Sequence, residues 1–159
     1  MPSKLHHFLW RALSRSLATG SNQKRRHITN ADQCRRCCQG EETEKHILFD
    51  CMYAQQVWRA SGITNSIITN PQATFEDQIE AVLQCSLSSQ LQHLANYPFW
   101  ILWRLWKSRN ILVFQQKQIN WRNILQQARK DANEWSEHGS TQSDHMAHGY
   151  ARVRSTHQN

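Results

Sequence analysis

The residues able to do chemistry are concentrated in one stretch, Cys34-Arg-Arg-Cys37-Cys38-Gln-Gly-Glu-Glu-Thr-Glu-Lys-His46-Ile-Leu-Phe-Asp-Cys51, which contains the pattern C-x2-C-x8-H-x4-C. A C-x2-C hairpin lets two thiolates face one ion, and Gly40 relaxes the returning chain. The H-x4-C spacing then brings an imidazole and a third thiolate round to close a tetrahedron. Three thiolates and a neutral imidazole suit Zn2+. With every position filled no place remains for an activated water, so the expected cofactor is one structural zinc on Cys34, Cys37, His46 and Cys51. Cys38 could replace Cys37, giving C-x3-C-x7-H-x4-C; crowding prevents both from binding together, and Cys37 is preferred. Free thiols or a disulfide are the competing reading. The chain has five cysteines, an odd number, the cluster is local and no secretory signal precedes it, which together favour metal. His6, His7, His27 and His93 have no cysteine neighbours and read as solvated or lightly packed.

No other constellation supports catalysis. A polymerase or nuclease needs clustered carboxylates to hold two metal ions. No Asp-Asp pair occurs, and Glu41, Glu42 and Glu44 read as a solvated acidic turn. A Gly-rich phosphate loop and a Gly-x-Ser-x-Gly elbow are also missing. The chain is expected not to be an enzyme and to have no small-molecule substrate.

The elements that must position the cluster are helical. Leu5, Phe8, Leu9, Ala12, Leu13 and Leu17 recur at helical spacing, predicting an amphipathic helix over 4–18 that shows Arg11 and Arg15 outward and has Gly20 as a stop. Thr74 and Asp77 form a capping signature for a short helix with Phe75, Ile79, Val82 and Leu83 on its apolar face and Cys85 as a buried thiol near its end. After Pro98 the run Phe99 to Asn110 is apolar except for an arc of Arg104, Lys107 and Ser108, which predicts the most buried helix. Asn120 caps a last helix with Trp121, Ile124, Leu125, Ala128, Ala132 and Trp135 on one stripe. No period-two alternation is convincing. The fold class is mainly α: a small zinc-stapled helical module over 1–60, a polar linker over 61–73, a Trp-rich helical connector segment over 74–137, and a disordered tail over 138–159.

Net charge is +7 over 159 residues. The two halves that flank the acidic middle are both basic, and no acid precedes Asp32. That opening composition also fits a mitochondrial transit peptide, but Trp10 and the regular Leu/Phe stripe favour a domain helix. The longest apolar run, Phe99 to Trp103, is far short of the roughly 20 residues that span a bilayer. An intracellular address, nuclear or cytoplasmic, is therefore expected, with a mitochondrial one as the alternative, and no membrane partner. Lys24, Arg25 and Arg26 precede the cluster and Arg35 and Arg36 lie within it, so RNA or DNA is a candidate partner, held by phosphate contacts around a rigid knuckle. Tyr53 or Trp58 would supply base stacking. The alternative is a structural connector or protein-interaction module that binds no nucleic acid.

The segments Lys4-Leu-His-His-Phe-Leu-Trp-Arg-Ala-Leu13, Lys24-Arg-Arg-His-Ile28, the Cys/His cluster with Glu42-Thr43, and Ala54-Gln-Gln-Val-Trp58 together resemble the reverse-transcriptase zinc-binding domain of plant non-LTR (LINE-type) retroelements. Trp100 to Asn110 with Val113-Phe114 is similar to the segment that leads toward a ribonuclease H domain in longer relatives. The resemblance implies Cys34, Cys37, His46 and Cys51 as ligands, and other retroelement-derived domains as partners. It departs in two places, Cys38 where Gly is common and Met52 where Pro is common. It also implies truncation at both ends, as in a remnant of an element's open reading frame.

Overall fold

The computed structural model describes residues 1–88, 94 and 96–154, with side chains described as far as His138. It is helical, as expected: α1 (Ser3–Leu13), α2 (Gly20–Arg25), a π-helical turn (His46–Asp50), α3 (Met52–Ala60), α4 (Phe75–Ser88), α5 (Tyr97–Gln115) and α6 (Trp121–Arg154). Among the described residues the only extended pairing is an isolated antiparallel bridge between Gln33 and Glu41. The tail expected over 138–159 falls almost wholly outside the residues whose side chains are described.

α5 is the central element. Pro98 sits in its first turn, where a missing N–H costs nothing, and its aromatic and aliphatic side chains face neighbours on almost every side. Phe99, Trp100, Ile101, Leu102, Leu105 and Trp106 are all buried, each worth about 1.5–3 kcal/mol of transfer free energy. α6 runs along α5, while α1, α4 and the π turn close its other sides. Leu5, Phe8 and Ala12 of α1, Leu48 and Phe49 of the π turn, Val57 and Trp58 of α3, Val82 of α4, and Leu125 and Ala128 of α6 belong with α5 to one continuous core.

Local sequence accounts for most boundaries. α4 starts at a reciprocal capping box, Asp77 N–H donating to Thr74 Oγ1 at 3.1 Å and Thr74 N–H to Asp77 Oδ2 at 3.2 Å. Asn120 Oδ1 accepts from Arg122 N–H at 2.9 Å and opens α6. α1 ends at Leu13, short of the expected 18, because Arg15 turns left-handed at φ 55° and the chain re-enters the core only at Leu17. Gly20 opens α2 behind its cap Thr19 instead of stopping α1. A Cβ there would lie 3.2 Å from Asp32 Cα and from Glu42 Cβ, so glycine permits the close approach of the knuckle. The polar segment before α4 is pinned as well: Ile68 is fully buried, and the buried Gln78 side chain donates to Ile68 O at 3.1 Å and Asn70 O at 3.3 Å. Cys85 is half-buried, receiving Asn65 Nδ2 at 3.7 Å. Trp135, expected with the buried stripe of α6, is 41% exposed.

Candidate metal centre

The loop from Gln33 to Glu41 returns on itself through the isolated bridge and through Cys34 N–H donating to Gly40 O at 3.0 Å. This hairpin projects Cys34 and Cys37 to one side. His46 and Cys51 arrive from the π turn. In an α-helix residues five apart lie about 140° apart around the axis. The π turn carries an i→i+5 hydrogen bond instead, Cys51 N–H to His46 O at 2.7 Å, which places His46 and Cys51 on the same side. Thr43 Oγ1 caps the turn by accepting from His46 N–H at 3.0 Å, and Ile47, Leu48 and Phe49 anchor it in the core.

The ligand atoms of Cys34, Cys37, His46 and Cys51 all lie within 4.8 Å of one another, and Cys37 Sγ is 3.2 Å from His46 Nε2. A tetrahedron with Zn–S bonds of about 2.3 Å has edges of about 3.8 Å, so small adjustments let the four atoms share one ion. The thiols compete for protons. The Cys51 thiol donates to Cys34, which lowers the Cys34 pKa well below the thiol range against the opposing effect of burial. The same hydrogen bond, reinforced by burial, pushes Cys51 far up. A divalent cation stands in for that shared proton and lets both sulfurs be thiolates. Backbone N–H groups of Cys37 and Arg36 donate to Cys34 and Tyr53 N–H donates to Cys51, favouring the thiolate form of each; Gln39 N–H donates to Cys37 Sγ at 3.4 Å and orients it. Cys38 stands outside the group, exposed, with φ 53°. That left-handed conformation is one glycine adopts at no steric cost, so Gly would fit this position without strain.

The acidic turn differs from expectation. Glu41 is exposed, but Glu42 and Glu44 are each only 2% exposed. Glu42 pairs with the buried Arg109 of α5 through Nε and Nη2, and its Oε1 also accepts from Gly20 N–H at 2.8 Å. Glu44 Oε1 accepts from Asn22 Nδ2 at 2.5 Å. The carboxylates thus lash the knuckle to α5 and α2. Ser108, expected in a polar arc, is buried beside Arg109 and accepts from Arg36 Nη2 at 3.1 Å.

The basic residues divide accordingly. Arg36 is half-buried, its guanidinium 3.7 Å above the centre of the Tyr53 ring and bonded to Ser108, so it braces the knuckle against α5. Lys24 is exposed and paired with Asp32 at 2.7 Å; the pair raises the Lys24 pKa and lowers that of Asp32. Arg25 is exposed and donates to Arg15 O at 3.2 Å. Arg26 and Arg35 are exposed with no carboxylate partner among the described residues. Neither expected stacking ring is available: Trp58 is buried with Nε1–H on Leu48 O at 2.8 Å, and Tyr53 donates to Ile119 O at 2.7 Å beneath Arg36. Sequence reasoning missed Glu42, Glu44, Ser108 and Arg109. The one available signal was a charged residue directly following an apolar helical run.

Among the described residues no helix is long and apolar enough to cross a membrane. No curated protein and no solved structure matches the chain. Residues 1–58 match the family model described as zinc-binding in reverse transcriptase, a binding family and not a catalytic one. That match and the Cys3His group together support a reverse-transcriptase-type zinc-binding module with one structural zinc as its cofactor.

Proposed function

We propose that this protein is a zinc-stapled, non-catalytic piece of a reverse-transcriptase polyprotein that contacts RNA or DNA through Lys24, Arg25, Arg26 and Arg35. The motifs quoted above favour a plant non-LTR (LINE-type) element as the parent and an intracellular site of action. Arg36 drops out of the contact set because Tyr53 and Ser108 hold it. The observation that carries the reading is Arg35: it projects from the loop between two cluster cysteines, exposed and without a carboxylate partner among the described residues. A cation on a metal-stiffened loop loses little entropy when it meets a phosphate.

The test is binding of a labelled oligonucleotide across a salt series, wild type against Arg26→Gln/Arg35→Gln. Removing two phosphate contacts should weaken binding and reduce the slope of log K against log salt by about 1.4–1.8. An unchanged affinity and slope would reject these residues as contacts. The connector reading draws on a different observation, the exposed Phe114 at the end of α5 and Leu87 at the end of α4, which suit apposition of another retroelement-derived domain. It gains if wild-type protein binds no nucleic acid while a charge at Phe114 changes its association state.

A further inference from the structure

One feature of the N-terminal helix has no part in the core or the metal cluster. Trp10 is 65% exposed and stacks on the exposed His7, ring centroids 6.3 Å apart and planes 28° from parallel. At 100° per residue Ser3, His7, Trp10 and Ser14 share the outward face of α1, opposite Leu5, Phe8 and Ala12, which are buried. Lys4 and Arg11 lie along one flank of that face. Arg25 donates to Arg15 O just beyond the helix, which brings the Lys24-Arg25-Arg26 cluster to the C-terminal end of α1. The nearby acids cancel part of this charge and leave Arg25 and Arg26 without a carboxylate partner among the described residues. Glu42 and Glu44 are buried, Asp32 and Glu76 are ion-paired to Lys24 and Arg15, and the exposed Glu41 acts on Lys24. Two stacked, solvent-facing rings beside cations suit a polymer that presents flat π faces and negative charge together, namely single-stranded nucleic acid. A duplex hides its base faces and offers no such match.

We infer that Trp10, supported by His7, is a stacking platform for an unpaired base, with Arg25 and Arg26 taking the adjoining phosphates. This rests on the nucleic-acid reading above and names the form recognised, single strand over duplex. The platform replaces Tyr53 and Trp58, which are committed internally.

The test measures affinity of wild type, Trp10→Ala and Trp10→Phe for a short labelled oligo(dT) and for its duplex with oligo(dA), after confirming equal zinc content as a check on folding. Trp10 is outside the core, so the variants should fold. Trp10→Ala should bind the single strand about 5- to 150-fold more weakly, the usual worth of one base–aromatic stack. Trp10→Phe should recover most of that loss, and duplex affinity and the salt slope should not move. If Trp10→Ala binds the single strand like wild type while Arg26→Gln/Arg35→Gln weakens it, the platform is wrong and the phosphate contacts stand. If wild type binds neither form, both readings fall. Reduced self-association in Trp10→Ala with unchanged oligonucleotide affinity would likewise overturn the platform and mark a protein contact instead.

Discussion

Replacing Arg109 by Met tests how the metal module is held to the rest of the protein. Arg109 and Glu42 are nearly inaccessible, with side chains 7% and 3% exposed, and they are 67 positions apart in the chain. Arg109→Met keeps most of the side-chain volume but deletes two charge-assisted hydrogen bonds. It leaves the Glu42 carboxylate buried with the Gly20 N–H as its remaining described partner. Removing one member of a buried pair costs about 3–5 kcal/mol, because the other charge stays desolvated and uncompensated. Against a total of about 5–15 kcal/mol for a domain, that is a large fraction. In urea titrations of zinc-loaded protein followed by circular dichroism, Arg109→Met should lose about 3–5 kcal/mol. Glu42→Gln should lose somewhat less, since a glutamine carbonyl still accepts from Gly20. The double variant should lose clearly less than the sum, because no unpaired charge remains. Arg109→Met within about 1 kcal/mol of wild type, where ordinary surface changes fall, would refute the coupling.

Other outcomes follow from the same geometry. Cys37→Ser should lose the zinc found by elemental analysis, and with it folding free energy on the order of 10 kcal/mol, whereas Cys38→Ser should keep the metal; the reverse pattern would make Cys38 the ligand. Cys38→Gly should hold zinc and gain up to about 1 kcal/mol by relieving the left-handed φ of 53°, seen as a higher urea midpoint. Burial raises the pKa of Tyr53, partly offset by Arg36, and also that of Tyr97. The folded state therefore holds these protons longer than the unfolded one, so their contribution to stability is complete below about pH 10 and is lost as pH rises through the raised values. Phenolate absorbance should show a late phase that shrinks in Tyr53→Phe, and an ordinary titration of that residue would contradict its burial.

The metal cluster and the helices were legible in sequence for different reasons. Spacing over a short stretch picks out Cys34, His46 and Cys51 and narrows the second ligand to Cys37 or Cys38, and the spacing of His46 and Cys51 implied a common direction even without the π turn that supplies it. Helices with one-sided stripes and explicit caps, such as α4 at Thr74 and α6 at Asn120, were readable because the signal is local. What could not be read is long-range. Nothing near Glu42 announces that Arg109 will arrive beside it, so charge density alone made the turn look solvated. Trp58 and Tyr53 looked available for stacking for the same reason: an aromatic residue carries no local mark of whether its face is covered. Trp10 is the converse, embedded in an apolar stripe by composition yet turned outward by the phase of α1.

The contacts between the knuckle and α5 give the zinc a wider role than stapling a small loop. Arg36 reaches Ser108, Glu42 reaches Arg109, and the π turn that carries His46 inserts Leu48 and Phe49 into the core shared with α5. A segment of about 60 residues buries little surface on its own and is marginal without help. Here the metal supplies local rigidity, and α5 supplies both the apolar face and the countercharge that a small module lacks. This arrangement separates two sets of cations that look alike in sequence. Those facing α5 are consumed in holding the knuckle in place. Arg26 and Arg35 stay in solvent with no carboxylate partner among the described residues, so they are not spent on the fold and are the cations on which the proposed phosphate contact rests.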